Sequence, residues 1–326
     1  MKPGLINGTM KKDENVLRIR REYNQWVANE TLEDFALRYT AKQARRWSAG
    51  RVASTALGIV SFLALEAIGG TITLNFGFTN ALWAILVVGL IIFLTGLPLS
   101  YYAARYGVDI DLLTRGAGFG YIGSTVSSLV YASFTFIFFA LEAAIMSMAI
   151  HLLLPVIPLS LAYVISALVV IPLVTHGISR ISFFQFWTQP VWLVLQIAPL
   201  LFIALHESES FNQWIHFPGV AQAGQEAGFS VALFGAAAAV IFPLIAQNGE
   251  QADFLRFLPE KDKNNRTQWW VAVVGAGPGW VVVGVVKLFI GSFLAVLALQ
   301  QGLPANLAMD PTHMYTVAFG YIAFTP

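Results

Sequence analysis

The chain has 326 residues, of which 57% are hydrophobic and 11% are charged. Charged residues make up about a quarter of an ordinary soluble domain, so this composition indicates an integral membrane protein. The formal net charge of +1 and the scatter of basic residues over short loops give no reason to expect nucleic acid as a partner. Because the chain has no cysteine, a disulfide framework, a thiolate metal site and a cysteine nucleophile are excluded.

The first fifty residues are polar and contain no apolar segment with a small-residue cleavage site, so no removable signal peptide is predicted. We expect two parts: a cytoplasmic N-terminal tail at 1–50 and a transmembrane domain at 51–326. The apolar composition of the second part predicts an all-α, polytopic membrane fold.

Apolar stretches of membrane-spanning length recur along the second part. A bilayer core about 30 Å thick needs about 20 apolar residues per helix. The sequence predicts seven such helices and an eighth that begins near Tyr315 and is truncated at Pro326. The seven predicted spans are 52–74, 81–104, 121–153, 159–176, 183–205, 229–247 and 269–299.

The basic residues of the predicted loops lie on one side of the membrane if the N-terminus is cytoplasmic. The loops on the opposite side contain no lysine or arginine. This distribution agrees with the positive-inside rule. It predicts a multi-pass protein of the cell membrane, plasma or inner, with its N-terminus in the cytoplasm.

The first predicted span contains an acidic residue and two glycines. Glu66 lies where a carboxylate costs roughly 2.5–3.5 kcal/mol, so it persists only beside a protein-lined or wet cavity. Gly69 and Gly70 lower helix propensity and remove the side chains that would keep a ligand from the backbone. We expect the helix to unwind at these glycines and all three residues to contact substrate. The alternative is close helix packing through small residues.

In the third predicted span, Phe138 and Glu142 are four residues apart and therefore share one helix face. An aromatic ring beside a carboxyl group suits a flat heteroaromatic ligand, which needs a face to stack on and an acceptor for its ring N–H. We expect both residues to bind substrate. The alternative is a lipid-facing phenylalanine stripe with a protonated structural glutamate.

The sixth predicted span ends in a polar run. Gln247 and Asn248 offer both donors and acceptors, so we expect them to contact the edge of the substrate. Asp253 and Arg256, three residues apart, predict an ion pair at the cytoplasmic rim. Interruptions in both the first and the sixth span are typical of transporters whose binding site is made from unwound helices.

The seventh predicted span is longer than a bilayer requires. Its Gly-Pro-Gly run at 277–279 cannot continue a regular helix. If the true span begins near Trp280, Lys287 lies about two turns deep. A lysine at that depth snorkels or finds an acidic partner, and we expect it to serve in gating or in an ion pair.

Three short motifs carry a resemblance to a known family. They are Arg46-Trp47 before the first span, Arg115 with Gly120-Tyr121-Ile122-Gly123 before the third, and Asp253-Phe254-Leu255-Arg256-Phe257 at the end of the sixth. With these motifs in this order, the chain resembles the nucleobase:cation symporter family, the permeases for cytosine, purines, allantoin and hydantoins.

The resemblance implies a LeuT-type fold of two inverted five-helix repeats, with the first and sixth helices broken and the substrate near the membrane midplane. It maps the family's stacking aromatic and polar ligand of helix three onto Phe138 and Glu142. It maps a polar contact of helix one onto Glu66. The carbonyls that bind sodium would lie near Phe62 and Leu65.

Two departures from the family pattern bear on the substrate and on the coupling ion. The usual helix-six tryptophan has no counterpart at 242–246, and Phe138 stands where tryptophan is usual, so the identity of the nucleobase stays open. Glu66 and Glu142 stand where neutral amides are expected, and we expect them to orient the substrate or to carry the coupling charge, because burial disfavours the charged form of a carboxyl group. The coupling cation is therefore expected to be Na⁺ or H⁺, and no other cofactor is expected.

The sequence thus predicts a secondary active transporter, a cation-coupled symporter for a small nitrogen heterocycle such as a purine, pyrimidine or hydantoin. Helices one, two, six and seven would rock against a scaffold in alternating access. The alternative is a transporter-like sensor domain fused to a signalling module. An intramembrane enzyme would need a nucleophile with a base or paired aspartates at depth, which the sequence does not offer. The five histidines have no metal-ligand spacing, so no metal site is expected.

Overall fold

The computed structural model describes positions 40, 42, 45 and 47–324, apart from 176, 207, 223 and 225–227. The regular structure of these positions is helical, as the composition predicts. The predicted N-terminal tail lies mostly outside the described residues, and so does Arg46 of the first motif.

The helices begin and end as follows. In chain order they are α1 Ala49–Gly58, α2 Ala64–Phe76, α3 Phe78–Tyr106, α4 Ile110–Thr114, α5 Gly120–Leu153, α6 Leu159–Thr175, α7 Gly177–His206, α8 Ser208–Ile215, α9 Val231–Ile241, α10 Gln247–Leu255, α11 Arg266–Ala276, α12 Trp280–Gln300, α13 Ala305–Ala308 and α14 Pro311–Phe324. Short 3₁₀ turns occur at Ile59–Ser61, Val220–Gln222 and Phe242–Ala246, and a π-helical turn occurs at Arg115–Phe119.

The helical stretches overlap the predicted spans, although not every one is long enough to cross a bilayer. Within the described residues, five are long and apolar enough to cross a bilayer: Phe78–Tyr106, Ile110–Leu153, Arg180–Ile203, Val231–Leu255 and Arg266–Gln300. The turn-extended α1 and α2 together form a sixth candidate, bent by 48°. The apolar helix α6, with 17 residues, occupies the predicted fourth span, and α14 occupies the predicted eighth.

The first span is broken, but not where the sequence predicts. The turn Ile59–Ser61 leads into Phe62, whose extended backbone (φ −68°, ψ 151°) ends the first half, and the second half begins at Ala64. The predicted unwinding at Gly69 and Gly70 is wrong, because both glycines lie inside the regular helix α2.

The glycines serve helix packing instead. A Cβ on Gly69 would lie 1.9 Å from the carbonyl oxygen of Leu288, and a Cβ on Gly291 would lie 2.0 Å from that of Glu66. Gly70 is packed in the same way against side chains of α12 and α14. The helices α2 and α12 therefore approach so closely that a side chain at either contact would collide with backbone. This is close helix packing through small residues, the alternative to unwinding and substrate contact that the sequence left open for Gly69 and Gly70.

The sixth and seventh spans are interrupted close to the predicted positions. Helix α9 ends in the 3₁₀ turn Phe242–Ala246, which carries Pro243 in its first turn, and α10 follows with the polar run. The Gly-Pro-Gly run at 277–279 separates α11 from α12. In both places a proline interrupts the helix, because proline has no backbone N–H to donate a helical hydrogen bond.

The contacts between helices group the spans around the break. Helix α12 packs along α2, and α3 packs against α9, α10 and α11. These contacts join the first, second, sixth and seventh spans into one bundle. Helices α5 and α14 contact α2 as well, and α7 contacts α14, so these three helices surround the broken first span from the other side.

Candidate functional site

A cavity of about 770 Å³ lies beside the break in the first span. Its walls come from the break itself and from α5, α7 and α14. The polar side chains in these walls are Ser61, Glu142, Gln196, Thr312, Tyr315 and Thr316, and the other lining residues are hydrophobic. Cavities of roughly 300–1,000 Å³ with apolar walls and few polar groups are typical of small-molecule sites.

Glu142 joins the cavity to the break. Its Oε1 accepts a hydrogen bond from the backbone N–H of Ala64 at 2.8 Å, and its Oε2 accepts one from Leu63 at 3.3 Å. The first N–H groups of a helix have no partner within the helix and carry partial positive charge. The carboxylate of α5 therefore caps the second half of the first span, although the two segments are 78 residues apart in sequence.

Glu66 lies in the first turn of α2, two residues after Ala64, and is completely buried. Its Oε1 is 2.6 Å from the ammonium nitrogen of Lys287, which is 1% exposed. The same oxygen accepts a hydrogen bond of 2.7 Å from the amide of Gln196 and a long one, 3.4 Å, from the hydroxyl of Tyr315. Lys287 therefore has the acidic partner expected for a lysine at membrane depth, and this partner is Glu66 of the first span.

The Glu66 network touches the cavity through two of its members. Gln196 and Tyr315 line the cavity wall and also bond to Glu66, which lies behind them. Trp192, another lining residue, has its ring 4.7 Å from the ammonium of Lys287, close enough for a cation–π contact. The two acidic residues therefore occupy different positions: Glu142 is in the wall, and Glu66 is one layer deeper.

Phe138 and Phe62 pack against each other at the break. Their rings meet edge to face with centroids 5.5 Å apart, and Phe134 lies 4.5 Å from Phe138 on its own helix. Phe138 is near Glu142, as the four-residue spacing predicts, but it is not among the residues that line the cavity. Leu65, the other residue expected near a sodium ion, is fully buried in the first turn of α2.

Gln247 and Asn248 are used within the helical bundle rather than in the cavity wall. The amide of Asn248 donates to the carbonyl of Ile92 at 3.1 Å, and its oxygen accepts from the indole N–H of Trp280 at 3.1 Å. Gln247 donates to the carboxylate of Glu250 in its own helix. The structure does not bring either amide to the cavity.

The motif at the end of the sixth span forms a junction with other segments. Asp253 accepts a hydrogen bond from the backbone of Ile110 at 3.2 Å, and the guanidinium of Arg256 lies over the ring of Phe257 at 4.9 Å. That phenylalanine stacks on Trp47 of the first motif with ring centroids 4.8 Å apart. The ion pair between Asp253 and Arg256 stays a prediction.

Sequence reasoning missed three residues of this site: Trp192, Gln196 and Tyr315. Glu66 was identified because it is a polar residue in an apolar span. Gln196 is also a polar residue in an apolar span, so the same rule would have identified Gln196. The other two carry no such signal, because aromatic residues are ordinary in membrane helices. No cluster of three or more metal-ligating His, Cys, Asp or Glu side chains occurs in the part of the chain that the structure describes.

Comparisons with known proteins agree with the architecture. The family model described as permease for cytosine/purines, uracil, thiamine, allantoin matches residues 39–301. The chain is also similar to the solved structure of Mhp1, a nucleobase-cation-symport-1 family transporter, in a closed conformation with bromovinylhydantoin bound. A search of curated proteins found no match.

The similarity to Mhp1 has a TM-score of 0.61 at 15% identity. It covers 90% of this chain but 66% of the Mhp1 chain, slightly less than two thirds. At this identity the match shows the fold alone. The predicted all-helical, polytopic fold of LeuT type is confirmed over the matched part.

Proposed function

We propose that this chain, which belongs to the family of permeases for cytosine/purines, uracil, thiamine and allantoin, carries a small nitrogen heterocycle across the membrane by alternating access. Permeases are transporters and not enzymes. The coupling ion, Na⁺ or H⁺, and the substrate are the parts of the proposal that go beyond the family.

The observation that carries the proposal is the double role of Glu142. A carboxylate has about four lone-pair positions, and the amides of Leu63 and Ala64 use two of them. The remaining capacity is available to a donor in the cavity, such as the ring N–H of a heterocycle. A ligand that bonds to Glu142 would thereby contact the group that caps the second half of the first span, which links binding to the position of that half.

A second feature of the wall favours heterocycles that pair an N–H with a carbonyl group. The indole nitrogen of Trp192 is buried and has no acceptor among the described atoms. Its ring belongs to the cavity lining together with Glu142. A ligand with adjacent donor and acceptor groups, as in uracil, hydantoin or hypoxanthine, offers a donor to Glu142 and, once the indole N–H of Trp192 turns toward the cavity, an acceptor to that N–H.

Other expected residues take narrower roles in the proposal. Phe138 would stack the ligand only after Phe62, which now packs against it, moved aside. The carbonyl of Phe62 remains the candidate for a cation beside the break, because its extended backbone lies outside the helix. Asn248 would act by holding α10 in the bundle, Gln247 by its hydrogen bond to Glu250 within α10, and Gly69 by the close packing of α2.

A binding screen tests the proposal. The purified protein would be titrated with labelled uracil, hydantoin, hypoxanthine and thiamine, with and without sodium and across pH. We expect saturable binding of at least one compound that contains an N–H beside a carbonyl, and binding of that compound should depend on Glu142. Absence of binding across the panel would contradict the proposal.

A further inference from the structure

Lys287 and Glu66 form an ion pair where α2 and α12 pack closely beside the cavity. Both side chains are at most 1% exposed, and their charged atoms are 2.6 Å apart. Gly291 lies against the backbone of Glu66, one turn after Lys287, and Gly69 lies against the backbone of Leu288, the next residue after the lysine. The two glycine contacts therefore bring the charged residues together from both helices.

Glu66 has one carboxylate oxygen, Oε1, whose surroundings are those of an oxygen that already has its cation, and its Oε2 is buried with no hydrogen-bond partner among the described atoms. Its Oε1 faces donors: the ammonium of Lys287, the amide of Gln196 and the hydroxyl of Tyr315. A hard metal cation such as Na⁺ or Ca²⁺ requires acceptor oxygens around it, and donors take the positions that those ligands would need.

A structural role alone does not account well for the pair. Removing two charges from water is costly, and a hydrophobic pair of the same shape is often at least as stable. Within a membrane, paired charges more often mark an ion or substrate pathway. Here the pair is also connected to the cavity, because Gln196 and Tyr315 bond to Glu66 and line the wall, and Trp192 covers the ammonium.

We propose that Lys287 is the resident cation of Glu66: its ammonium occupies the place where a sodium ion would otherwise bind, so Glu66 takes up no sodium while the lysine is present. Lys287 thus determines ion specificity, and it acts on transport through Glu66. The inference rests on the proposed transport function. Any sodium that the protein uses would then bind elsewhere, for example at the break near Phe62.

The test removes the ammonium group of Lys287 and measures whether a sodium ion then binds in its place. The purified chain would be compared in sodium chloride and in choline chloride at equal ionic strength, using thermal unfolding in detergent. Lys287→Met keeps a long side chain without the charge, Lys287→Arg keeps the charge, and the double variant Lys287→Met with Glu66→Gln removes both charges.

We expect Lys287→Met to gain a saturable, sodium-specific rise in unfolding temperature of about 2–4 °C, as expected for ligand binding to a folded protein of this size. The wild type and Lys287→Arg should lack that added response, and the double variant should lack it too. An equal response to sodium in the wild type, Lys287→Met and the double variant would overturn the proposal, and so would no response in Lys287→Met.

A complementary variant decides the matter if Lys287→Met fails to fold. Glu66→Gln leaves the buried ammonium without its anion, so it should gain a chloride-specific stabilisation when chloride is compared with gluconate. Unchanged behaviour in the two salts would contradict a charged, resident lysine. None of these measurements contains a heterocycle, so their outcome is separate from the outcome of the binding screen.

Discussion

The carboxylate of Glu142 accepts a hydrogen bond of 2.8 Å from the backbone N–H of Ala64, the first residue of α2. This contact fixes the position of the third span relative to the second half of the first span. Because Glu142 also lines the cavity, the contact connects the proposed ligand site to a span that moves in the proposed alternating-access mechanism.

Replacing Glu142 with Gln should loosen this cap. A neutral amide oxygen accepts a weaker hydrogen bond than a carboxylate, and hydrogen bonds to charged groups contribute about 1.5–3 kcal/mol. We expect the amides of Leu63 and Ala64 to exchange with deuterium at least about tenfold faster in the variant. Hydrogen–deuterium exchange of a peptide that covers 59–66 measures this. Exchange as slow as in the wild type would show that another group holds the break.

The close contact between α2 and α12 predicts strong effects of single methyl groups. Gly291→Ala places a Cβ 2.0 Å from the carbonyl oxygen of Glu66, and Gly69→Ala places one 1.9 Å from that of Leu288. Overpacking of this kind typically costs about 1–3 kcal/mol. Both variants should unfold at lower temperature than the wild type.

The matched control for these variants is Gly235→Ala. Gly235 lies inside helix α9, and a Cβ there meets nothing within 4 Å. Its thermal stability should be equal to or higher than that of the wild type, since alanine favours a helix by up to about 1 kcal/mol over glycine. If the control lost as much stability as Gly291→Ala, the close contact would not be the cause.

Asn248 provides a test between a structural and a ligand-binding role. In Asn248→Ala the indole of Trp280 and the carbonyl of Ile92 each lose a partner, at a cost of about 1–3 kcal/mol for buried groups left unsatisfied. We expect a lower unfolding temperature and an unchanged dissociation constant for a heterocycle that binds the wild type. A loss of affinity of tenfold or more, with little loss of stability, would instead return Asn248 to the binding site.

The indole N–H of Trp192 should distinguish between ligands. In Trp192→Phe the aromatic ring remains and the donor is lost, so compounds with a carbonyl group should bind more weakly by about tenfold, the value of one hydrogen bond of roughly 1–1.5 kcal/mol. Thiamine, which has no carbonyl group on its rings, should be unaffected. Equal losses for both classes, measured by titration calorimetry, would mean that the ring and not the donor matters.

The spans could be predicted from the sequence because each depends on local composition: about 20 apolar residues suffice to identify a membrane helix. The Gly-Pro-Gly break at 277–279 was predictable for the same reason, since proline removes a backbone donor wherever it stands. Both features depend on neighbouring residues only.

The break in the first span could not be placed in this way. Gly69 and Gly70 are the local signal for unwinding, yet they form a helix because α12 packs against them. The break lies at Phe62, which has no helix-breaking character, and it is capped by Glu142 from another span. The partner of Lys287 was likewise undetermined, because the pair is separated by 221 residues and depends on how the two helices cross.

The most direct test of the account is ligand binding and uptake by Glu142→Gln. The control is Glu260→Gln, because the carboxylate of Glu260 is half exposed and away from the cavity. All three proteins, the wild type and these two variants, would be reconstituted in liposomes and supplied with labelled uracil, hydantoin or hypoxanthine. We predict that the wild type and Glu260→Gln accumulate the same compound. The affinity of Glu142→Gln for that compound should be at least about tenfold lower, which is the effect of one charge-assisted hydrogen bond. Undiminished binding and accumulation in Glu142→Gln would contradict it.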